Sequence, residues 1–293
     1  MLWPKSLNKN IKTNVKLAAL TSFKVGGTAK FFFEAKNIEE LREILIFAKR
    51  KGIPVFILGS GSNILVSDSG LKGLVIKLSG EYFKRIVKQV TCLDAGGGLK
   101  LNQLILYAKN SGLSGLEFLA GIPGTLGGAL AGNAGAWGKS IGSQVKEVRV
   151  LDYSGKLKSL GPKELKFSYR KSNLSKYIII SCKLKLRKAD KKAVGLKIRE
   201  YLLRRGKTQN NTLPNAGCIF KNPGKNAAGK LIDSCRLKGK QKGGAVISNC
   251  HANFILNKGK ASSKDILFLM NLMQKRVKKI FKVNLEPEIR IWR

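Results

Sequence analysis

GIPGTLGGALAGNAGAWG, residues 121–138, is the stretch on which the reading of this chain turns. Its seven glycines and four alanines carry too little side chain to build a core of their own. Backbone packed closely against a flat or phosphorylated ligand accounts for such a composition, because glycine lets the main chain approach and turn where other residues clash. A flexible connector is the alternative, but long structureless loops are uncommon in compact domains unless they serve a function.

A second glycine loop, GSGSN at 59–63, follows the apolar run Val55–Leu58. Gly59 and Gly61 permit positive φ, so that successive N–H groups can converge on one oxyanion, and Ser60, Ser62 and Asn63 add side-chain donors. No Lys-Ser or Lys-Thr pair follows at P-loop spacing, and the sixth position is Ile64 rather than the last glycine of a GxGxxG fingerprint. Alone, this loop also reads as a surface turn. Two such loops in one chain imply a large cofactor with a diphosphate.

The remaining pattern is mixed. Asn37, with Glu40 three residues on, is a candidate cap for a helix in which Ile38, Leu41, Leu45 and Ala48 share a face, stopped by Gly52. Val55–Leu58 reads as a buried strand, and Leu101, Leu104, Ile105 and Ala108 mark a second helix. Val145–Leu151 and Lys156–Leu160, joined by a turn at 152–155, read as a hairpin. In Tyr177–Leu186, alternation places Ile178, Ile180, Cys182, Leu184 and Leu186 on one face. Val194, Ile198, Tyr201 and Leu202 predict a helix. Ser262 and Asp265 cap another, with Ile266, Leu269, Met270, Met273, Val277 and Ile280 inward, and Pro287–Trp292 closes as a strand. Helices and strands mix without regular alternation, so the expected class is α+β.

The chain has 293 residues, enough for more than one domain at about 100–200 residues each. Its 56 Lys and Arg against 17 Asp and Glu give a net charge of +39. Such an excess attracts polyanions, nucleic acid among them, but the basic residues are spread along the whole length. Attraction to anionic metabolites is the expected consequence, with no dedicated nucleic-acid partner. Five scattered cysteines without a CxxC pair, and a single histidine, His251, argue against a structural metal and suit free thiols in a reducing compartment. No apolar run approaches the roughly 20 residues that span a bilayer, and a cytoplasmic protein is expected.

Both glycine loops, in this order, resemble the flavin-binding half of the UDP-N-acetylenolpyruvoylglucosamine reductase family, also called UDP-N-acetylmuramate dehydrogenases. The resemblance extends through TSFKVGG (21–27), GSGSNILV (59–66), FSYRKS (167–172), GCIFKNP (217–223), AAGKLID (227–233), LKGKQKGGA (237–245) and LEPEIRIW (285–292). It implies an N-terminal segment, 1–20, then a two-subdomain FAD-binding fold of the vanillyl-alcohol-oxidase type over 21–187, split near 80. A separate α+β substrate domain follows over 188–293, whose last strand can return to the first domain. The short path from Leu186 to Asn215 resembles the family type without the insertion that closes over substrate. The activity implied is NADPH-dependent reduction of UDP-N-acetylglucosamine enolpyruvate to UDP-N-acetylmuramate through noncovalent FAD, in peptidoglycan precursor synthesis. The alternatives are another FAD-dependent sugar oxidoreductase of the same fold and, from the net charge alone, a basic nucleic-acid-binding protein.

The family's site maps onto named positions. The resemblance implies cofactor contacts from Gly59, Ser60, Gly61, Ser62, Asn63, Pro123, Gly124, Gly127, Gly128, Asn133, Ala134, Gly135 and Gly138, and no metal. It also implies three catalytic roles. Arg170 would grip a carboxylate or developing enolate, as a permanently charged, bidentate guanidinium can. Glu288 would act as general acid or polarise the substrate carboxylate, with Glu286 a nearby alternative. Cys218 stands where members carry serine or cysteine and would protonate the carbanion; a thiol of ordinary pKa near 8.5 stays protonated at neutral pH and is a better acid than a hydroxyl. Lys221 and Asn222 are candidates for the substrate's polar groups, and Arg204 and Arg205 for its diphosphate.

Overall fold

A computed structural model describes residues 3–209 and 213–293. The chain divides into two compact units, and the division is not sequential. One comprises Met1–Thr13, Phe31–Ser60 and Gly73–Arg205; the other gathers Asn14–Lys30, Gly61–Lys72 and Gly206–Arg293. Strands and helices mix in both, as an α+β fold requires.

In the first unit an antiparallel five-stranded sheet runs in the order Leu157–Leu160, Val145–Leu151, Ile178–Lys185, Cys92–Gly96, Ile86–Gln89. The expected hairpin is present. Its turn is tied by Asp152, whose Oδ1 accepts from the Ser154 and Lys156 N–H groups at 2.9 and 3.0 Å. The Ser154 hydroxyl and these N–H groups hold the Asp152 carboxyl below its usual range. Val55–Leu58 pairs in parallel with Leu71–Leu78, but only Leu58 of the four is fully buried, where a buried strand was expected. Ile38–Arg50 is a helix whose Asn37 side chain accepts the Glu40 N–H at 2.9 Å, while Glu40 returns to the Lys36 N–H.

The strand Ile178–Lys185 departs from simple alternation. Its pairing with Val145–Leu151 shifts between Arg149 and Val150, so that Ile180 is the extra residue of a β-bulge. The bulge reverses which face the side chains meet. Ile178 and Ile180 join a core with Phe33, Leu41, Ile44, Leu74 and Phe83. Ile179, Cys182, Leu184 and Leu186 join another with Leu93, Leu104, Leu126 and Val148. The single face expected for Ile178, Ile180, Cys182, Leu184 and Leu186 is therefore split in two.

The second unit is built on a three-stranded antiparallel sheet, Gln241–Lys242, Ala245–Ile247 and Ile255–Asn257, and on the helix Ser263–Phe281. Ile266, Leu269, Met270, Met273 and Val277 are buried against Phe23, Val25, Leu65, Ile219 and Phe220. Ile280, expected on the same stripe, is 52% exposed, because the helix outruns the core by its last turn. Arg290–Trp292 pairs in parallel with Ile64–Val66.

No helix among the described residues is long and apolar enough to cross a membrane. All five cysteines are free, and no described group of three or more His, Cys, Asp or Glu side chains could hold a metal ion.

The helix Ser263–Phe281 is capped twice. Ser262 and Asp265 form a reciprocal capping box. Asp68, from Gly61–Lys72, accepts the Ser263 N–H at 2.9 Å and its hydroxyl at 2.8 Å, and the Ser263 hydroxyl lies 3.1 Å from the Asp68 N–H. A carboxylate at this end also meets the favourable end of the helix dipole. Asp68→Ala is expected to destabilise the protein by about 1–3 kcal/mol, as loss of a charged cap with several partners implies. Asp68→Asn should recover part of the loss. Equilibrium urea unfolding of both variants checks this; an unchanged midpoint for Asp68→Ala contradicts it.

Candidate active site

The segment 121–138 is not a structureless loop. Thr125 caps a short helix, Leu126–Ala131, accepting the Gly128 N–H at 3.3 Å. Leu126, Ala129 and Leu130 are buried, which supplies from tertiary packing what the glycines take from helix propensity. A minimal hairpin follows, Gly135–Ala136 with Lys139–Ser140, turned by Trp137 and Gly138, both at positive φ (57° and 73°).

The glycines of this unit separate into two kinds. Some are required by the protein's own packing. A Cβ at Gly59 would lie 2.7 Å from the Thr125 Oγ1, one at Gly127 would lie 2.9 Å from the Gly97 carbonyl oxygen, and one at Gly135 would run into the Lys139 carbonyl. The first helical N–H groups are spent likewise: Leu126 donates to Leu99 and Gly127 to Gly97, each at 2.8 Å. Gly128 and Gly138 differ. A Cβ at Gly128 would meet only the Thr125 Oγ1, at 3.5 Å, and one at Gly138 would meet nothing within 4 Å. Both are exposed. Pro123 and Ser60 are exposed too, and Gly124 lends its carbonyl to the Leu101 N–H. Thr125, absent from the residues picked out by sequence, thus touches both glycine segments. A threonine directly before a helical Leu-Gly-Gly is the capping signal that could have found it.

Asn133, at φ 44° and 5% exposed, is structural in its visible contacts: its amide donates to the Ser168 carbonyl at 2.8 Å and accepts the Gly142 N–H at 3.1 Å. Ala134 donates its N–H to Ala129 and receives that of Ile141. Asn133 thereby fixes the hairpin Phe167–Ser168/Lys171–Ser172, whose two turn residues are Tyr169 and Arg170. Arg170 sits at φ 53°, and its guanidinium donates to the Gly135 carbonyl at 2.8 Å. The structure therefore brings Arg170 to the glycine segment. Arg205 donates to the Ala120 carbonyl at 3.2 Å, bracing the entry to that segment. Arg204 pairs with Glu200 at 2.7 Å and lies over Trp137, whose ring stacks on Tyr201.

In the second unit the run 218–221 is threaded between two neighbours. On one side Ile219 and Phe220 donate to the Asn253 backbone and side-chain oxygens, and the Asn253 amide returns to the Phe220 carbonyl. On the other, Glu288 donates its N–H to the Ile219 carbonyl at 2.7 Å, Lys221 donates to the Glu286 carbonyl at 2.9 Å, and Phe220 bridges Pro287. These bonds put Glu288 across from the residue next to Cys218. Cys218 is partly exposed and follows Gly217, which takes φ 75° and faces open space.

The Lys221 ammonium pairs with Glu286 at 2.5 Å, which engages the alternative carboxylate. The Asn222 side-chain oxygen caps the helix Ala228–Ser234 through the Ala228 N–H. Asn63 serves this array as well: its side chain donates to the Glu288 carbonyl at 3.2 Å, and its own carbonyl accepts the Arg290 N–H. Gly61, at φ 66°, accepts the Ser22 N–H and has no room for a side chain beside the Leu20 carbonyl; Ser62 is partly buried next to it. His251, packed edge-on against Phe254, has its pKa lowered chiefly by burial, and its Nδ1 accepts the Asn253 N–H at 3.3 Å. It supports the residue that aligns 218–221.

Comparison with known proteins bears on both units. Residues 29–161 match a family model described as an FAD binding domain, and residues 208–292 match one described as the C-terminal domain of UDP-N-acetylenolpyruvoylglucosamine reductase. The chain is 42% identical to UDP-N-acetylenolpyruvoylglucosamine reductase 2 of Symbiobacterium thermophilum, over 93% of this chain and 89% of that protein. The chain belongs to the UDP-N-acetylenolpyruvoylglucosamine reductase family. The reductase of Clostridium novyi is 38% identical over 97% of this chain and 92% of its own length. The crystal structure of the Thermus caldophilus reductase superposes with a TM-score of 0.84 at 36% identity, covering 97% of this chain and 99% of that one.

As a reductase of this family the chain takes FAD, and the first unit fits that group in one respect internal packing does not explain. Gly128 leaves backbone bare toward open space, where a flat cofactor can lie; Gly138 is bare too, but its φ of 73° in the turn already calls for glycine. Gly128→Val should fold and purify with little FAD, because it fills that surface with a branched side chain. Gly127→Val should lower stability instead, since its Cβ meets the Gly97 carbonyl. Flavin absorbance per protein and thermal melting separate the two. Full FAD content in Gly128→Val contradicts the assignment.

Proposed function

We propose that this chain catalyses NADPH-dependent reduction of UDP-N-acetylglucosamine enolpyruvate to UDP-N-acetylmuramate through FAD, a step of peptidoglycan precursor synthesis. The first unit would hold FAD, with Gly128, Gly138 and the segment around Thr125 lining it, and the second would hold the UDP-sugar. The observation that carries the reading is the backbone bridge between 218–221 and 286–288. It sets the backbone of Glu288 against Ile219, the residue next to Cys218, in the unit matched by the family's C-terminal domain.

Bound FAD supplies the redox step, accepting hydride from NADPH and passing it to the enolpyruvyl double bond. The residues supply position, charge and a proton. As hydride arrives at one carbon of the double bond, negative charge grows on its neighbour and spreads into the adjoining carboxylate. Arg170 would bind that carboxylate with the guanidinium that the Gly135 carbonyl orients. Cys218 would deliver the proton from Sγ to the carbanionic carbon, and the thiolate left behind would be reprotonated from water. Glu288 would hold and polarise the substrate carboxylate end, and the pairing of Glu286 with Lys221 supports Glu288 in that role. Lys221 and Asn222, beside Cys218 in sequence, would take the substrate's polar groups. Arg204 would reach the diphosphate and Arg205 would brace the flavin segment.

The test separates the two half-reactions. Cys218→Ala should still bleach its flavin with NADPH at near the normal rate. Reoxidation by the enolpyruvyl substrate should slow by roughly 10²–10⁴, the usual worth of general acid catalysis. Cys218→Ser should keep measurable turnover. Stopped-flow flavin absorbance in both directions decides. Reoxidation of Cys218→Ala at the native rate removes Cys218 from the role and transfers it to Glu288.

A further inference from the structure

The helix Lys191–Thr208 presents to solvent a face that neither the fold nor the proposed chemistry uses. Its inward side is Val194, buried, with Ile198 and Tyr201 packed on the core around Leu104 and Leu126. Lys192, Leu196, Arg199 and Leu203 follow at i, i+4, i+7 and i+11, the spacing of one continuous stripe, and lie opposite that inward side. Leu196 is 68% and Leu203 59% exposed, among the most exposed large apolar side chains described. Between Lys191 and Arg205 six residues are basic and one, Glu200, is acidic. Glu200 is already paired with Arg204, so the stripe itself carries positive charge only.

We infer that this stripe docks the protein on an anionic lipid surface, with Leu196 and Leu203 entering the headgroup boundary between Lys192 and Arg199. Exposed leucines on a cationic helix face are the chemistry of interfacial binding: apolar side chains partition just below the headgroups, and lysine and arginine meet anionic lipid. Charge selects the occupant. With 56 basic against 17 acidic residues, a second copy of this chain would be repelled from the same face, whereas an anionic bilayer is complementary to it. Nucleic acid would match the charge but has no use for two leucines on the outermost line of the helix. Docking of this kind lies along the surface and needs no spanning segment, in keeping with the absence of one among the described helices.

The test uses the flavin-loaded protein and sedimentation with vesicles of phosphatidylglycerol and phosphatidylcholine, against vesicles of phosphatidylcholine alone, at low and high ionic strength. The native protein should co-sediment with the anionic vesicles and be released by salt. Leu196→Glu/Leu203→Glu should weaken partitioning by about tenfold or more, because it removes the apolar anchors and inverts local charge. Lys192→Gln/Arg199→Gln, which keeps the leucines, should weaken it by several-fold. Circular dichroism and melting temperature of both variants should match the native protein, since neither pair touches the core. Equal partitioning of the leucine variant and the native protein would mean that diffuse charge alone binds vesicles, and the stripe has no role. No binding to anionic vesicles, or a leucine variant changed only in its light-scattering mass or its retention by single-stranded nucleic acid, would equally overturn the inference.

Discussion

One strand, Ile178–Lys185, is buried over nearly its whole length, and two cores close on it. A strand with strict alternation offers one set of side chains to each side. By inserting Ile180 as an extra residue, this strand first serves the core around Phe33 and Leu74 and then the core around Leu104 and Leu126. The second of these cores also holds Leu126, Ala129 and Leu130, the buried face of the short helix in the glycine segment. The seating of bare backbone at Gly128 therefore depends on side chains buried in the interior of the first unit. Arg170 depends on the same arrangement, because its anchor is the Gly135 carbonyl of the hairpin that follows.

The elements legible in the sequence are those whose causes are local. Asn37 and Ser262 announce their helices by capping, a matter of three or four neighbouring residues, and both caps form as expected. The turn at Asp152 is equally local. The bulge was not legible, because it expresses a compromise between two cores assembled from distant segments. The helix Leu126–Ala131 was hidden for a related reason: its glycines argue against it, and only burial of its leucines overrules them.

Among the candidate site residues, composition singled out segments but not the work each residue does. Gly59, Gly61, Gly127 and Gly135 are small because protein atoms crowd them and Gly138 because its turn takes a positive φ, whereas Gly128 is small without either cause. Asn133 ties loop to hairpin, and Asn63 ties the backbone of Glu288. A motif records that a residue type is needed; only packing distinguishes a surface kept clear for a ligand from a gap already filled by the chain. The resemblance to the reductase family carried Cys218, Arg170 and Glu288, since neither a single arginine in so basic a chain nor a lone cysteine distinguishes itself by composition.

The bond from Asn63 to Glu288 joins residues 225 positions apart, and Asp68 reaches Ser263 across 195. Synthesis runs in one direction, so Gly61–Lys72 leaves the ribosome long before its partners exist. Until residues 286–292 emerge, Ile64–Val66 is an unpaired strand edge and the 218–221 run lacks one of its two neighbours. Contacts of such long range close late. A chain interrupted between Cys218 and Glu288 would thus carry the thiol without the carboxylate and expose a sticky edge, which makes incomplete copies targets for chaperones and proteases rather than half-working enzymes.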